Sequence, residues 1–345
     1  MTLLEGIEYI QNNTKKSYEN NIPTIIKPIH KNNEKYKVDP IILDIIKQKS
    51  GMKKGFSLHF ERNRLDKIAN FNENLDNYVE EKLIKFDNYS INSFRFNTIN
   101  SSDKIIIFFH GGGYIAGKIE YYYNQCVYLA KKTNSCVIFP EYRLAPENPY
   151  PAAIDDAKNV LEWAKRKNKK IVLVGDSAGA GLINALIYDE KLKGGKSIDL
   201  AIELYPASDI FQIENDTYTW SIDQYTKVSD NEKIIYDRIL KLKNSSALYK
   251  KLYLTEEKGF KNPDISSNYW DNYQGLPKLV VISAEFDFLR ISNEIFVQNC
   301  LEAGNDIKYI KYLGCDHGFL DYFGKLPQSE EVLITISNEI NLLDY

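Results

Sequence analysis

The sequence predicts an α/β fold: a mostly parallel central sheet with helices on both faces. Three observations predict it. From about residue 79 onward, apolar runs of strand length alternate with helix-like stretches, the pattern of a parallel sheet with crossover helices. The runs are almost continuously apolar, as strands buried on both faces must be. Two glycine-rich turns directly follow two of these runs, at the strand ends where an open α/β sheet carries its functional loops.

Taken in order, Val79–Phe86 and Ile91–Asn97 form an initial pair joined by the turn Asp87-Asn88-Tyr89. Strands follow at Lys104–Phe109, Cys136–Pro140, Lys170–Val174, Leu200–Tyr205, Lys278–Ala284 and Ile307–Leu313, separated by helical segments such as Asn293–Ala303. Two stretches stand outside this alternation. Residues 1–78 carry helical patterns at Thr2–Gln11 and Pro40–Lys49, the second with Asp39 as N-cap and Pro40 at the first helical position. Residues 207–275 link two strands and are rich in Tyr, Trp and Phe; a structureless connection that long is unusual, so an inserted helical element is expected. The chain therefore reads as one domain, 1–345, with a catalytic core of 79–206 and 276–345. Its cap is expected from 1–78 and 207–275, and 1–78 is short and polar for an independent core. The cap aromatics Tyr218, Trp220, Tyr225, Tyr249 and Trp270 read as packing before they read as substrate contacts.

Composition narrows the function classes. Of 345 residues, 43% are hydrophobic and 26% charged, ordinary values for a globular protein. A net charge of −3 and a pI near 6.0 give no basic field for nucleic acid, and the lysines of Lys165–Lys170 suit a solvated helix end. No apolar run approaches the ~20 residues of a membrane span, and Met1–Ile10 lacks the basic start and apolar centre of a secretory signal. Cys126, Cys136, Cys300 and Cys315 are scattered without paired spacing and read as reduced thiols, which points to the cytoplasm. No metal site and no cofactor are expected, and oligomeric state is not legible.

The chemistry lies in the glycine turns. Gly175-Asp176-Ser177-Ala178-Gly179 stands between an apolar strand and a helix-like stretch, the placement of a nucleophile elbow that lifts a serine hydroxyl above the sheet. Upstream, His110-Gly111-Gly112-Gly113 follows Ile105–Phe109 in the pattern of an oxyanion hole. An attacked ester carbonyl becomes an anion and needs fixed donors about 3 Å away; consecutive glycines leave backbone N–H groups unobstructed. Ala178, at a helix N-terminus, adds another N–H. Of the four histidines, only His317 follows Ser177, as the order serine, acid, histidine requires. Asp287, just beyond a buried strand, is the favoured acid, with Glu285 and Asp316 as rivals: Glu285 is close to the strand end, and Asp316 adjoins the histidine.

These residues, with Glu141–Glu147, Tyr150–Ala157, Ala284–Asp287 and His317-Gly318-Phe319, resemble the bacterial hormone-sensitive-lipase-like carboxylesterases of the α/β-hydrolase superfamily. The blocks run in the family's order over roughly 80–345. The resemblance implies an α/β-hydrolase fold with a helical cap and a small-molecule ester as partner. It implies a Ser177–Asp287–His317 triad, with Gly112, Gly113 and Ala178 as oxyanion donors. Phe288 stands where the family usually has proline after the acid, and Ile291 and Ser292 stand where acidic residues are frequent. Arg143, Glu147 and Asp156 suggest a structural ion-pair network, and Tyr114 either a pocket wall or packing beneath the cap.

Other readings fit fewer residues. Gly112 through Lys118 imitates a P-loop, but Ile119 replaces the required Ser or Thr. Gly111-x-Gly113-x-x-Ala116, with Glu141 downstream, imitates a dinucleotide site and leaves His110, the elbow and His317 unexplained. An amide or formamide hydrolase would use the same triad. A non-catalytic receptor on this fold could dispense with its histidine.

Overall fold

Ten strands hydrogen-bond into one sheet in this computed structural model, which describes residues 2–30, 38–50, 57–63, 78–99, 101–209, 219–225, 231–254 and 262–344. In chain order the strands are β1 Lys15–Glu19, β2 Ile22–Lys27, β3 Val79–Lys85, β4 Ser90–Phe96, β5 Lys104–Phe109, β6 Cys136–Pro140, β7 Lys170–Asp176, β8 Leu200–Leu204, β9 Lys278–Phe286 and β10 Ile307–Asp316. Their order across the sheet is β1-β2-β10-β9-β8-β7-β5-β6-β4-β3. The run from β2 to β6 is parallel throughout, while β1 and the β4–β3 pair are antiparallel at the two edges.

The central strands are apolar on both faces because both are covered. Ile106, Phe108, Val172, Val174, Ile202, Val280 and Ile282 point to one side, against α4 (Ile119–Thr133) and α9 (Pro327–Asn341). Their neighbours Ile105, Ile107, Phe109, Ile171, Leu173, Ala201, Leu279 and Val281 point to the other, against α5 (Ala152–Lys165), α6 (Ala178–Leu192) and α8 (Arg290–Glu302). Alternation of side chains along a strand makes each strand contribute to two cores.

The N-terminal segment differs from the expectation. The sequence places residues 1–78 in the cap, yet α1 (Leu3–Asn12) packs on α9, and β1 and β2 extend the sheet beyond β10. β1 is a polar edge strand, Lys-Lys-Ser-Tyr-Glu, exposed along most of its length, so hydrophobic periodicity does not reveal it. The local signal is Asn20-Asn21: both have positive φ (50° and 61°), and the Glu19↔Ile22 pair makes them a two-residue hairpin turn. Lys27 at the end of β2 pairs with buried Glu331 of α9 at 2.8 Å.

In α2 (Pro40–Ser50), Asp39 caps as expected: its Oδ1 accepts from the Ile41 N–H at 2.9 Å, and its own N–H donates to the Gly314 carbonyl of β10. α2 packs on α7 (Glu232–Tyr253), the long helix of the 207–275 insertion, and Arg62 of the short α3 (Leu58–Arg62) donates to the Ile115 carbonyl in the loop after β5. Tyr218 lies outside the described residues.

Candidate active site

Ser177 turns the chain from β7 into α6 with φ 52° and ψ −115°, a sparsely populated conformation costing about 1–3 kcal/mol. Surrounding bonds over-determine it. The Ser177 N–H donates to the Leu204 carbonyl of β8 at 2.9 Å, and the Ser177 carbonyl accepts from the Gly181 and Ala207 N–H groups at 3.0 Å each. The flanking glycine at 179 is required by close approach: a Cβ there would stand 2.0 Å from the Phe109 carbonyl oxygen.

The preceding loop is built to match. After β5, Gly112 (φ 124°) and Gly113 (φ 64°) adopt left-handed geometry, and the Gly112 carbonyl accepts from the Ile115 and Ala116 N–H groups. Asp176 ties the two turns together. Its Oδ1 accepts from the Gly111 N–H at 2.7 Å, and its Oδ2 accepts from the Tyr122 hydroxyl of α4 at 3.2 Å. His110 is a buried spacer: its ring stacks on Tyr142 at 4.2 Å, and a Cβ on Gly117 would collide with it. Among the described residues, the N–H groups of Gly112, Gly113 and Ala178 donate to no protein acceptor, and that of Ala178 stands at the positive end of α6.

β9 and β10 carry the other half. Asp287 follows β9 and is fully buried; His317 follows β10. The Ser177 Oγ lies 3.0 Å from His317 Nε2, and His317 Nδ1 lies 2.8 Å from Asp287 Oδ2. Asp287 Oδ1 accepts from the Leu289 N–H at 2.8 Å, which fixes the carboxylate plane. Burial alone would lower the His317 pKa, but the charge and hydrogen bond of Asp287, with lesser help from Asp316 and Asp176, hold it above its ordinary 6.5. The rival acids are engaged elsewhere. Glu285 accepts from the Gly314 N–H at 2.9 Å, its carboxyl pushed up to about 7 by burial, and Asp316 pairs with Arg238 of α7 at 2.9 Å.

A pocket of about 120 Å³ opens over Ser177, lined by the glycine loop, His317, Phe288, Glu61 of α3, and Arg238, Leu242 and Tyr249 of α7. Glu61, Arg238 and Leu242 belong to no motif legible in the sequence. Of the aromatics that read as packing, Tyr249 lines the pocket, whereas Trp270 packs against Tyr188 and Phe296. Tyr114 resolves as packing: it is buried and stacks on Tyr253 of α7 at 4.2 Å. The expected ion-pair network divides in two. Arg143 pairs with buried Asp156 at 2.8 Å, while Glu147 pairs with Arg62 of α3, whose guanidinium also donates to the Ile115 and Ala145 carbonyls. Among the described residues no group of three His, Cys, Asp or Glu is placed to hold a metal, and no helix is long and apolar enough to cross a membrane.

Comparison with known proteins agrees with this architecture. Residues 106–321 match a protein family with the α/β-hydrolase fold. The chain is 28% identical over 270 residues to an arylesterase of Saccharolobus solfataricus, a match covering 73% of this chain and 79% of that one. It is 27% identical over 246 residues to Lipase 2 of a Moraxella species, covering 64% of this chain and 56% of the lipase, so it spans just over half the length of that relative. Among solved structures, an esterase of Pyrobaculum calidifontis superposes with a TM-score of 0.74 at 21% identity, covering 89% of this chain and 99% of the other. The chain belongs to the α/β-hydrolase fold family.

Proposed function

We propose that the chain hydrolyses short-chain acyl esters of small alcohols by two-step acyl transfer, with Ser177 as nucleophile, His317 as base and Asp287 as the acid that orients it. The unbroken relay from Ser177 Oγ to His317 Nε2 (3.0 Å) and from His317 Nδ1 to Asp287 Oδ2 (2.8 Å) carries this reading. His317 takes the Ser177 proton as Oγ attacks the ester carbonyl. The oxyanion rests on the N–H groups of Gly112, Gly113 and Ala178. The alcohol departs with the proton from His317, and water, deprotonated by His317, then releases the acid from the acyl-enzyme. No metal or cofactor enters this scheme. The small pocket, walled by Phe288, Leu242 and Tyr249, favours short acyl chains.

The assembly we propose is one hydrolase domain with a cap over the pocket, contributed by α2, α3 and the 207–275 insertion. Four buried free cysteines support a cytoplasmic location. The test is hydrolysis of p-nitrophenyl acetate, butyrate, octanoate and palmitate by wild type and Ser177→Ala. Turnover should fade with chain length and fall about 10⁶-fold in the variant. Retained turnover in Ser177→Ala would overturn the assignment, and faster cleavage of matched amides than of esters would make the chain an amidase.

A further inference from the structure

The acid loop runs from Asp287 through Phe288 and Leu289 into α8. Two side chains of the 207–275 insertion grip its backbone. The Tyr225 hydroxyl donates to the Asp287 carbonyl at 2.7 Å, and the Trp220 indole N–H donates to the Phe288 carbonyl at 2.9 Å. We propose that Tyr225 and Trp220 are positioning residues for the catalytic acid, through which the cap sets how squarely Asp287 meets His317. This rests on the reading of Ser177, His317 and Asp287 as a triad.

The contacts form a closed bracket. Tyr225 is 2% exposed and Trp220 9%, their rings lie 5.8 Å apart, and Asp287 and Phe288 are buried, so both hydrogen bonds are sheltered from water. The Asp287 carbonyl also accepts from the Arg290 N–H at 3.0 Å, so losing the Tyr225 hydroxyl would remove one of its two donors and loosen the loop. From the other side Arg290, at the start of α8, donates to the Glu285 carbonyl at 3.0 Å and to the Gln224 carbonyl at 2.8 Å, its guanidinium 4.8 Å over the Tyr225 ring. α7 holds the bracket through the Tyr236 hydroxyl, which donates to the Tyr225 carbonyl at 3.1 Å. The helix that walls the pocket with Arg238, Leu242 and Tyr249 is therefore connected to the acid through the Tyr236 and Tyr225 hydroxyls.

The bracket acts on one of several groups around His317. The carboxylates of Asp287, Asp316 and Asp176 act on its charge; Arg238 offsets Asp316, and the rings of Tyr205 and Phe288 face it at 5.0 and 5.3 Å. Asp287 is the carboxylate hydrogen-bonded to the imidazole and the one whose backbone the cap holds. Loosening the bracket should weaken that bond and leave the other carboxylates where they are.

The test is an NMR titration of the histidines in wild type, Tyr225→Phe and Trp220→Phe, with His317→Gln assigning the His317 signal, alongside thermal melting and kinetics on p-nitrophenyl butyrate. The His317 pKa should fall by about half a unit in Tyr225→Phe. Its kcat should drop about fivefold, the worth of one hydrogen bond, with KM within twofold of wild type. An unmoved His317 pKa and unmoved kcat in the folded variants, even with a lowered melting temperature, would reduce both residues to packing and overturn the proposal. If Trp220→Phe does not fold, Tyr225→Phe, which removes one oxygen, decides alone. The titration needs no substrate. A wild type that cleaves no ester would refute the esterase reading while the titration still tests the bracket.

Discussion

The two halves of this site are held in place by different means. On the nucleophile side, geometry comes mainly from the backbone: Ser177 is strained between β7 and α6, the glycine loop closes on its own carbonyl, and Asp176 ties the elbow to the Gly111 N–H. On the acid–base side, Asp287 and His317 leave two parallel strands with ordinary loops. The acid loop is held by Trp220, Tyr225 and Arg290, two of which come from an insertion between β8 and β9. A site can thus keep its nucleophile rigid through backbone geometry in the sheet core while its base is tuned by an inserted element. The first half is expected to tolerate almost no substitution; the second should respond in graded steps.

The largest effect should come from breaking the local half. Gly112→Ala places a Cβ 2.1 Å from the Ala116 carbonyl oxygen at a φ of 124°, so the loop must move and its donors leave the oxyanion position. A loss of about 10²–10³ in kcat is expected, measured beside the melting temperature, because one misplaced donor costs that much in such sites. Survival of full activity would show that the glycine loop is not the oxyanion hole.

Acid pH should switch off the remote half next. His317 must be neutral to accept the Ser177 proton, and its pKa is raised, so the acid limb of kcat/KM should have its midpoint above 6.5. Activity should fall about tenfold per pH unit below it. The stability share of the same ion pair runs the other way: it is present in acid and fades as pH rises through the raised value. A limb at or below 6.5 would mean that Asp287 does not support the imidazolium.

The smallest change sharpens the contrast. Tyr122→Phe removes a hydroxyl that donates to Asp176 and accepts from the Gly111 N–H at 3.2 Å. A loss of about fivefold in kcat is expected with the acid limb unmoved, whereas Tyr225→Phe should lower both. If Tyr122→Phe also shifts the limb, the two halves are not separable.

The sequence by itself determined the sheet's central strands, the two glycine turns and the order of Ser177, Asp287 and His317. Each of these is written locally, in an apolar run of strand length or in glycines that a tight turn demands. The spatial meeting of three residues 30 to 140 positions apart followed from one topological fact, that parallel strands bring their C-terminal ends to one edge. Tertiary structure alone decided the rest. The β1–β2 hairpin joins the sheet through its neighbours, since its polar edge strand has no periodicity of its own. Glu147 finds Arg62 across 85 residues, and Arg238 reaches Asp316 across 78, because side-chain partners on separate segments leave no spacing to read. The grip of Trp220 and Tyr225 on the acid loop is likewise invisible in sequence: hydroxyl and indole donors meet backbone carbonyls, which every residue possesses, and only the fold chooses which ones.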